Sequence, residues 1–183
     1  MADYEIIAEG TLTSTATSID ITSIPATSTH LELFINARTT KAAATIAYGS
    51  LRVNGIAGGT SYGLIGLYTR NNVTASVYNL TGSNGNYTSS NIDSSHTMMD
   101  DGMPANAYSA NKIVIPNYAN TTTTSKGFLI SNHTPSSNTS VYWQIMSYGF
   151  VVSSAAINRI ELFVEPGGSP FKAGTSYLLA GWK

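Results

Sequence analysis

The chain contains no cysteine. This absence excludes thiol nucleophiles, zinc–thiolate centres and a fold held together by disulfides. A chain of 183 residues does not need such supports, because a domain of this size buries about 70% of the surface that its unfolded chain exposes. We therefore expect one domain, residues 1–183, that is stabilised by its own hydrophobic core.

Charged residues are scarce. They make up 10% of the chain, compared with about 25% in an average protein, and the net charge is −1. A nucleic-acid partner is not expected, because such surfaces need clustered cations to displace counterions. A surface with so little charge is also less soluble as a free monomer, which favours a permanent assembly.

Long apolar runs are absent too. No segment approaches the roughly 20 apolar residues of a membrane-spanning helix, so no membrane partner is expected. The N-terminal residues Met1–Glu5 do not combine a basic region with an apolar stretch, as a signal peptide would. These features predict a protein that is made in the cytoplasm.

Helical periodicity is almost missing, and short alternating runs separated by turn residues take its place. This pattern predicts an all-β, antiparallel β-sandwich of about nine or ten strands. Eleven segments are candidates for these strands: Tyr4–Leu12, Ser18–Thr22, Thr29–Arg38, Ala43–Val53, Tyr62–Thr69, Asn72–Leu80, Lys112–Tyr118, Lys126–Asn132, Ser140–Val152, Asn158–Val164 and Thr175–Trp182.

The C-terminal stretch Ala156–Lys183 carries the clearest signal. Ile160, Leu162 and Val164 alternate with polar or aromatic residues, as a strand with one buried face requires. A run rich in proline and glycine then forces a turn before Thr175–Trp182. The chain should therefore end inside a sheet. On the first of these strands, Arg159 and Glu161 share a face and are expected to form cross-strand ion pairs.

The segment Thr81–Ala107 has few apolar residues and no strong periodicity. It predicts a long loop that is mobile or lies at an interface. Within it, Met98, Met99 and Met103 are candidates to pack on a neighbouring molecule. A short N-terminal arm, Met1–Glu9, which contains Tyr4, is a second candidate for such contacts.

The same loop holds the only local cluster of metal-type ligands, which are Asp93, His96, Asp100 and Asp101. Carboxylate oxygens suit Ca²⁺, but this spacing matches no EF-hand. The glycine-rich segment Asn54–Thr60 lacks the lysine of a phosphate-binding loop and is better explained as a hairpin loop. We therefore expect neither a metal site nor a cofactor.

Catalytic signatures are weak. None of the three histidines, His30, His96 and His133, accompanies a Gly-x-Ser-x-Gly nucleophile turn. His30 is expected to be a structural or interface hydrogen-bonding residue, and His133 an exposed turn residue. No pair of carboxylates is marked for glycoside hydrolysis. We expect no enzyme activity.

The sequence is also rich in aromatic residues with polar groups, since it contains eleven tyrosines and two tryptophans. Tyr142, Tyr148 and Phe150 share one face of a predicted strand, whose other face carries Trp143 and Ile145. Aromatic side chains with polar tips are favoured at protein interfaces. The aromatic face either looks outward or is buried beneath a loop, and the sequence leaves both arrangements open.

Several short motifs, in order along the chain, resemble a family of tailed-bacteriophage virion proteins. The family pattern "IP…Y-T-H-L-x-L…A-R" is similar to residues Ile24–Arg38, and its "F-N-G-D…N-Y-S" to Arg52–Tyr62. Its "I-x-N-Y-A-N-T…K" resembles Ile115–Lys126, and its ending "L-Y-G-I" resembles Leu179–Trp182.

This resemblance implies a jelly-roll β-sandwich and a structural role in the virion, with no chemistry. The most concrete expectation is a capsid cement or decoration protein that binds the major capsid protein as a homotrimer. The alternative is a tail-fibre or tail-adaptor head that binds host glycan or another tail protein. Tyr142, Tyr148 and Trp182 would then be the anchors.

Overall fold

The computed structural model describes residues 3–42, 47–57, 61–70, 76–79, 92–135, 142–164 and 168–183. These residues form twelve β-strands and contain no helix. The all-β prediction is confirmed, although the expected count of nine or ten strands was too low. The strands are β1 (Tyr4–Thr11), β2 (Ser18–Ile21), β3 (His30–Ala37), β4 (Ala47–Val53), β5 (Tyr62–Arg70), β6 (Ser76–Asn79), β7 (Ile92–Met98), β8 (Ser109–Pro116), β9 (Ser125–Pro135), β10 (Tyr142–Val152), β11 (Ile160–Val164) and β12 (Ser176–Trp182).

The strands form two antiparallel sheets. The large sheet has eight strands in the order β1-β12-β3-β8-β9-β10-β5-β6, and the small sheet has four in the order β2-β11-β4-β7. The chain crosses repeatedly between the sheets, so β1, β3, β8 and β12 lie opposite β2, β4, β7 and β11. The other four strands, β5, β6, β9 and β10, extend the large sheet beyond this frame.

The core lies between the two sheets and follows the alternation in the sequence. In β3, Leu31, Leu33 and Ile35 are fully buried, whereas the residues between them face outward. In β11, Ile160 and Leu162 are buried in the same way from the opposite sheet. Burial of each such side chain is worth about 1.5–3 kcal/mol, so this alternation sets the register of the strands.

A buried polar network joins the sheets where β7 packs against β8. The Asn111 carboxamide oxygen accepts a hydrogen bond from the Thr97 N–H at 2.8 Å, and its amide group donates to the Ile35 carbonyl at 3.0 Å. The Ser109 hydroxyl donates to the carbonyl of Thr97 at 2.6 Å. These bonds hold β7 in place without the apolar alternation that marks the other strands.

The structure corrects the prediction of a long loop at residues 81–107. Residues 92–98 form β7, and residues 81–91 lie outside the described part of the chain. Met98 and Met99 are 0% and 2% exposed, so their side chains belong to the core and offer no contact surface to a neighbour. Met99 is held further by the Thr39 N–H, which donates to its carbonyl at 2.9 Å.

The turn at Asn54–Gly55 is present, but it is not a hairpin. Both residues have positive φ, 51° and 68°, as the sequence signal implies. Yet β4 belongs to the small sheet and β5 to the large one, so the turn begins a crossing between sheets. The C-terminal strands β11 and β12 are likewise separated into different sheets.

Residues 101–104 are arranged around a buried cation. The Arg38 guanidinium donates to the Met103 carbonyl at 2.6 Å, to the Pro104 carbonyl, and to the carbonyl of Asp101 at 3.2 Å. The Asp101 carboxylate also accepts hydrogen bonds from Lys172 and Arg38. These bonds, with that from Lys172 the stronger influence, hold the pKa of Asp101 below its ordinary value.

Candidate functional site: the outer face of the large sheet

The large sheet turns one side to the core and leaves the other open. On the open side, Ile65, Tyr148 and Leu129 stand in register across β5, β10 and β9, and the next row contains Leu67 and Met146. Each of these five side chains is 48–60% exposed. We call them the apolar face. Antiparallel sheets often face water on one side, but that side is usually polar.

The apolar face carries no charge. Among the described side chains at outward positions of β5, β9 and β10, the only titratable groups are those of Tyr148 and His133. The nearest charge is Lys112 on β8, which forms an ion pair with Glu32 at 2.8 Å and lies 5.2 Å from the centre of the Phe34 ring. The Lys112–Glu32 ion pair therefore lies at the edge of the apolar face, where Lys112 contributes to the same groove as Leu129.

Glycines shape one end of this surface. Gly127 and Gly63 flank Phe150 in register, so this row has a side chain only on its middle strand. The Tyr148 ring lies over Gly127, where a Cβ atom would come within 2.6 Å of the Tyr148 hydroxyl oxygen. Packing on the neighbouring strand thus holds the Tyr148 ring against the sheet.

A second cluster lies at the other end of the same sheet. Tyr4, Trp182 and His30 stand in register across β1, β12 and β3. The Tyr4 and Trp182 rings meet edge to face with centres 4.9 Å apart, and the His30 ring stacks on Trp182 at 5.9 Å. The indole N–H of Trp182 has no hydrogen-bond partner within the described part of the chain. We call these three residues the aromatic row.

The structure places the contact residues predicted from the sequence at different locations. Tyr4, Tyr148 and Trp182 all lie on the open side of the large sheet, but in two separate clusters. The Tyr142 side chain lies outside the described residues. Met103 is half-buried and contributes its carbonyl to the Arg38 network.

Sequence reasoning missed most of the apolar face. In β5, buried Leu64 alternates with exposed Ile65 and Leu67, so both faces are apolar and the pattern cannot tell them apart. In β10 the signal was better, because polar Gln144 and aromatic Tyr148 mark one face. The side chains of Met146 and Tyr148 face outward, which is one of the two arrangements that the sequence left open for this strand.

The acidic side chains that the structure describes in the small sheet form ion pairs. Arg159 contacts Asp20 at 2.8 Å, and Arg52 contacts Glu161 at 3.6 Å, which confirms the predicted cross-strand pairing. The hydrogen bonds from Arg159 to Asp20 raise the pKa of Arg159. Within the described residues, no group of three or more His, Asp or Glu side chains is placed to bind a metal.

His133, predicted in a turn, instead lies exposed within β9. His30 is half-buried, and its ring nitrogen Nδ1 lies 3.3 Å from the Thr29 hydroxyl oxygen. The described part of the chain includes no helix of the length and apolarity that a membrane span requires.

Comparison with known proteins gives no family. The chain matches no protein-family model, and no curated protein matches it significantly. Among solved structures, a Scytalido-glutamic peptidase is 11% identical with a TM-score of 0.27, over 95% of this chain and 66% of the peptidase. The CBM40 of the Ruminococcus gnavus IT-sialidase is 10% identical with a TM-score of 0.27, over 94% of this chain and 91% of that module. These weak similarities support no conclusion about activity.

Proposed function

We propose that this protein is a structural subunit of a tailed-phage virion, of the capsid decoration type, which binds the shell as a homotrimer. The strand order carries the proposal. The frame β1-β12-β3-β8 facing β2-β11-β4-β7 has the order expected of an eight-stranded jelly roll, with β5, β6, β9 and β10 as insertions. Jelly rolls recur in viral capsid proteins, and the motifs described above resemble virion proteins.

The surface supports the same role. Decoration proteins work by burying surface against a shell, which requires exposed contact area and no reaction chemistry. The open side of the large sheet has two exposed areas, of which the aromatic row is available to the shell and the apolar face to a second copy of the chain. Three copies joined together would make three weak shell contacts at once, and this raises the overall affinity without any new type of contact.

Binding to capsids that lack the protein tests this proposal. The purified protein should sediment with such capsids, in a fixed ratio, and raise the temperature at which they break open. Bovine serum albumin at the same concentration serves as the control for trapping. Absence of co-sedimentation, or cryo-EM density at the tail tip alone, would reject the capsid assignment.

A second function, glycan binding by a tail-fibre or tail-adaptor head, is favoured by the aromatic row. Adjacent aromatic rings on an open surface suit a sugar ring, whose apolar face packs against them. On a glycan array, Tyr4→Ala should then reduce binding at least about tenfold, since loss of roughly 1.4 kcal/mol has that effect. Tyr148→Ala, on the distant apolar face, should leave it unchanged. An array without hits would remove this candidate.

A further inference from the structure

We infer that the apolar face is the surface on which a second copy of this chain docks. This inference goes beyond the proposed function, because a face that docks on its own copy pairs two subunits about a two-fold axis and is a different contact from the one that closes a homotrimer. The face is formed by Leu129, Met146, Tyr148, Ile65 and Leu67, on the part of the large sheet that extends beyond the eight-stranded frame.

The size of the surface fits a contact between subunits. Four strands from β8 to β5, with the length of β10 from Gln144 to Val152, cover roughly 19 Å by 27 Å, or roughly 500 Å² before side-chain relief is added. Stable protein interfaces begin near ~600 Å² per partner. Contiguous apolar patches of several hundred Å² are uncommon on monomers and mark interaction sites. The estimated area lies near the lower limit for a stable contact, so we expect association of low affinity.

The scarcity of charge on this surface favours the same surface of a second copy as its partner. When two copies of a neutral face meet, no like charges are brought together and no ion is stripped of water. A nucleic acid or an anionic lipid surface would instead require cations. Among the described residues at the border, Lys112 is paired with Glu32 at 2.8 Å.

The relief of the surface is also self-complementary. A shallow groove lies beside Leu129 and is bordered by Lys112, Val114 and Ser131 on one side and by Met146 and Tyr148 on the other. Met146, with 60% of its surface exposed, is the most prominent side chain of the face. Groove and projection are therefore adjacent on one surface, so each copy offers what the other needs. The flexible methionine side chain adapts readily to such a groove.

Charge substitution on this face tests the inference. We expect the wild-type protein to be oligomeric by light scattering at micromolar concentrations, and Met146→Lys and Leu67→Lys to abolish this association, which halves the mass of the particle. Each introduced ammonium group would have to lose water on docking, which should raise the dissociation constant at least about a hundredfold. Ile6→Lys is the matched control, because Ile6 is 54% exposed on the same side of the same sheet but lies on β1, at its far edge. It should remain oligomeric.

The outcomes separate this inference from the proposed function. A wild type that stays monomeric at high concentration, or lysine variants that keep their fold by circular dichroism and still associate, would overturn the inference. Dissociation by Ile6→Lys but not by Met146→Lys would also overturn it. Capsid binding by a wild type that does not associate through this face would leave the proposed function standing. Association that only Met146→Lys and Leu67→Lys abolish, without capsid binding, would uphold the inference alone.

Discussion

At the scale of single residues, Tyr62 shows how the core accepts a polar group. Its ring is fully buried, and its hydroxyl accepts a hydrogen bond from the Val53 N–H at 3.1 Å and donates to the Ile56 carbonyl at 3.2 Å. Burial raises the pKa of Tyr62 above its ordinary value of 10.0, because the phenolate would lose its hydration. The hydroxyl thereby ties the end of β4 to the start of β5.

Replacing Tyr62 by phenylalanine should lower the free energy of unfolding by about 1–2 kcal/mol, because the Val53 and Ile56 groups lose their partner. It should also reduce sensitivity to alkali. Above pH ~10 the unfolded tyrosine releases its proton while the folded one retains it, so wild-type stability falls as the pH rises. Urea titrations at neutral and alkaline pH measure both effects. Tyr148→Phe, at an exposed site, should change stability by less than about 0.5 kcal/mol.

Arg38 is the second residue on which local structure depends. Arg38→Met should destabilise the protein by about 3 kcal/mol, since the carbonyls of Asp101, Met103 and Pro104 lose a charged donor. The segment 101–104 should also become sensitive to proteases. Lys172→Met removes the other cation that contacts Asp101, but from the exposed side, and should have a small effect in urea titrations. Equal losses for both variants would contradict this account.

At the scale of secondary-structure elements, the sequence predicted most strands but not their partners. Alternation identified β3 through Leu31, Leu33 and Ile35, because one buried face imposes a period of two. Alternation did not reveal β7. In this strand the polar Thr97 is held by a hydrogen bond to the Asn111 carboxamide, and the pattern of neighbouring residues cannot indicate a contact between different strands. It also could not show that Asn54–Gly55 leads to another sheet, because a turn's sequence encodes local geometry alone.

The Asn54 turn provides a test at this scale. Its side-chain oxygen accepts hydrogen bonds from the N–H groups of Asn158, at 2.9 Å, and Arg159, while its amide donates to Ala156 at 2.8 Å. It therefore joins the β4–β5 and β10–β11 connections. Asn54→Gly should lose these bonds but accept the positive φ without strain, whereas Asn54→Ala should lose the bonds and also be strained at this φ.

We expect Asn54→Ala to cost about 1 kcal/mol more than Asn54→Gly in the free energy of unfolding, since only alanine is strained at positive φ. Thermal or urea denaturation of the two variants measures the difference. If the two variants were equally stable, the φ of this residue would not constrain the turn.

At the scale of the whole molecule, low charge should govern how the protein associates. If copies meet through the apolar face, the dissociation constant should change by less than about threefold between low and high salt, because few charges are there to be screened. Light scattering in NaCl solutions of increasing concentration measures this dependence. Sulfate, which strengthens apolar contacts, should favour the oligomer. Dissociation in NaCl would point to ion pairs instead.

The position of β12 has a consequence for how the protein is made. This strand lies inside the large sheet, between β1 and β3, although almost the whole chain separates it from β1. During translation, β1 therefore leaves the ribosome long before its neighbour exists, and the nascent chain carries an open strand edge until β12 has been made. Open edges of this kind attract other chains. Yield in the host cell should therefore depend on chaperones that shield the growing polypeptide.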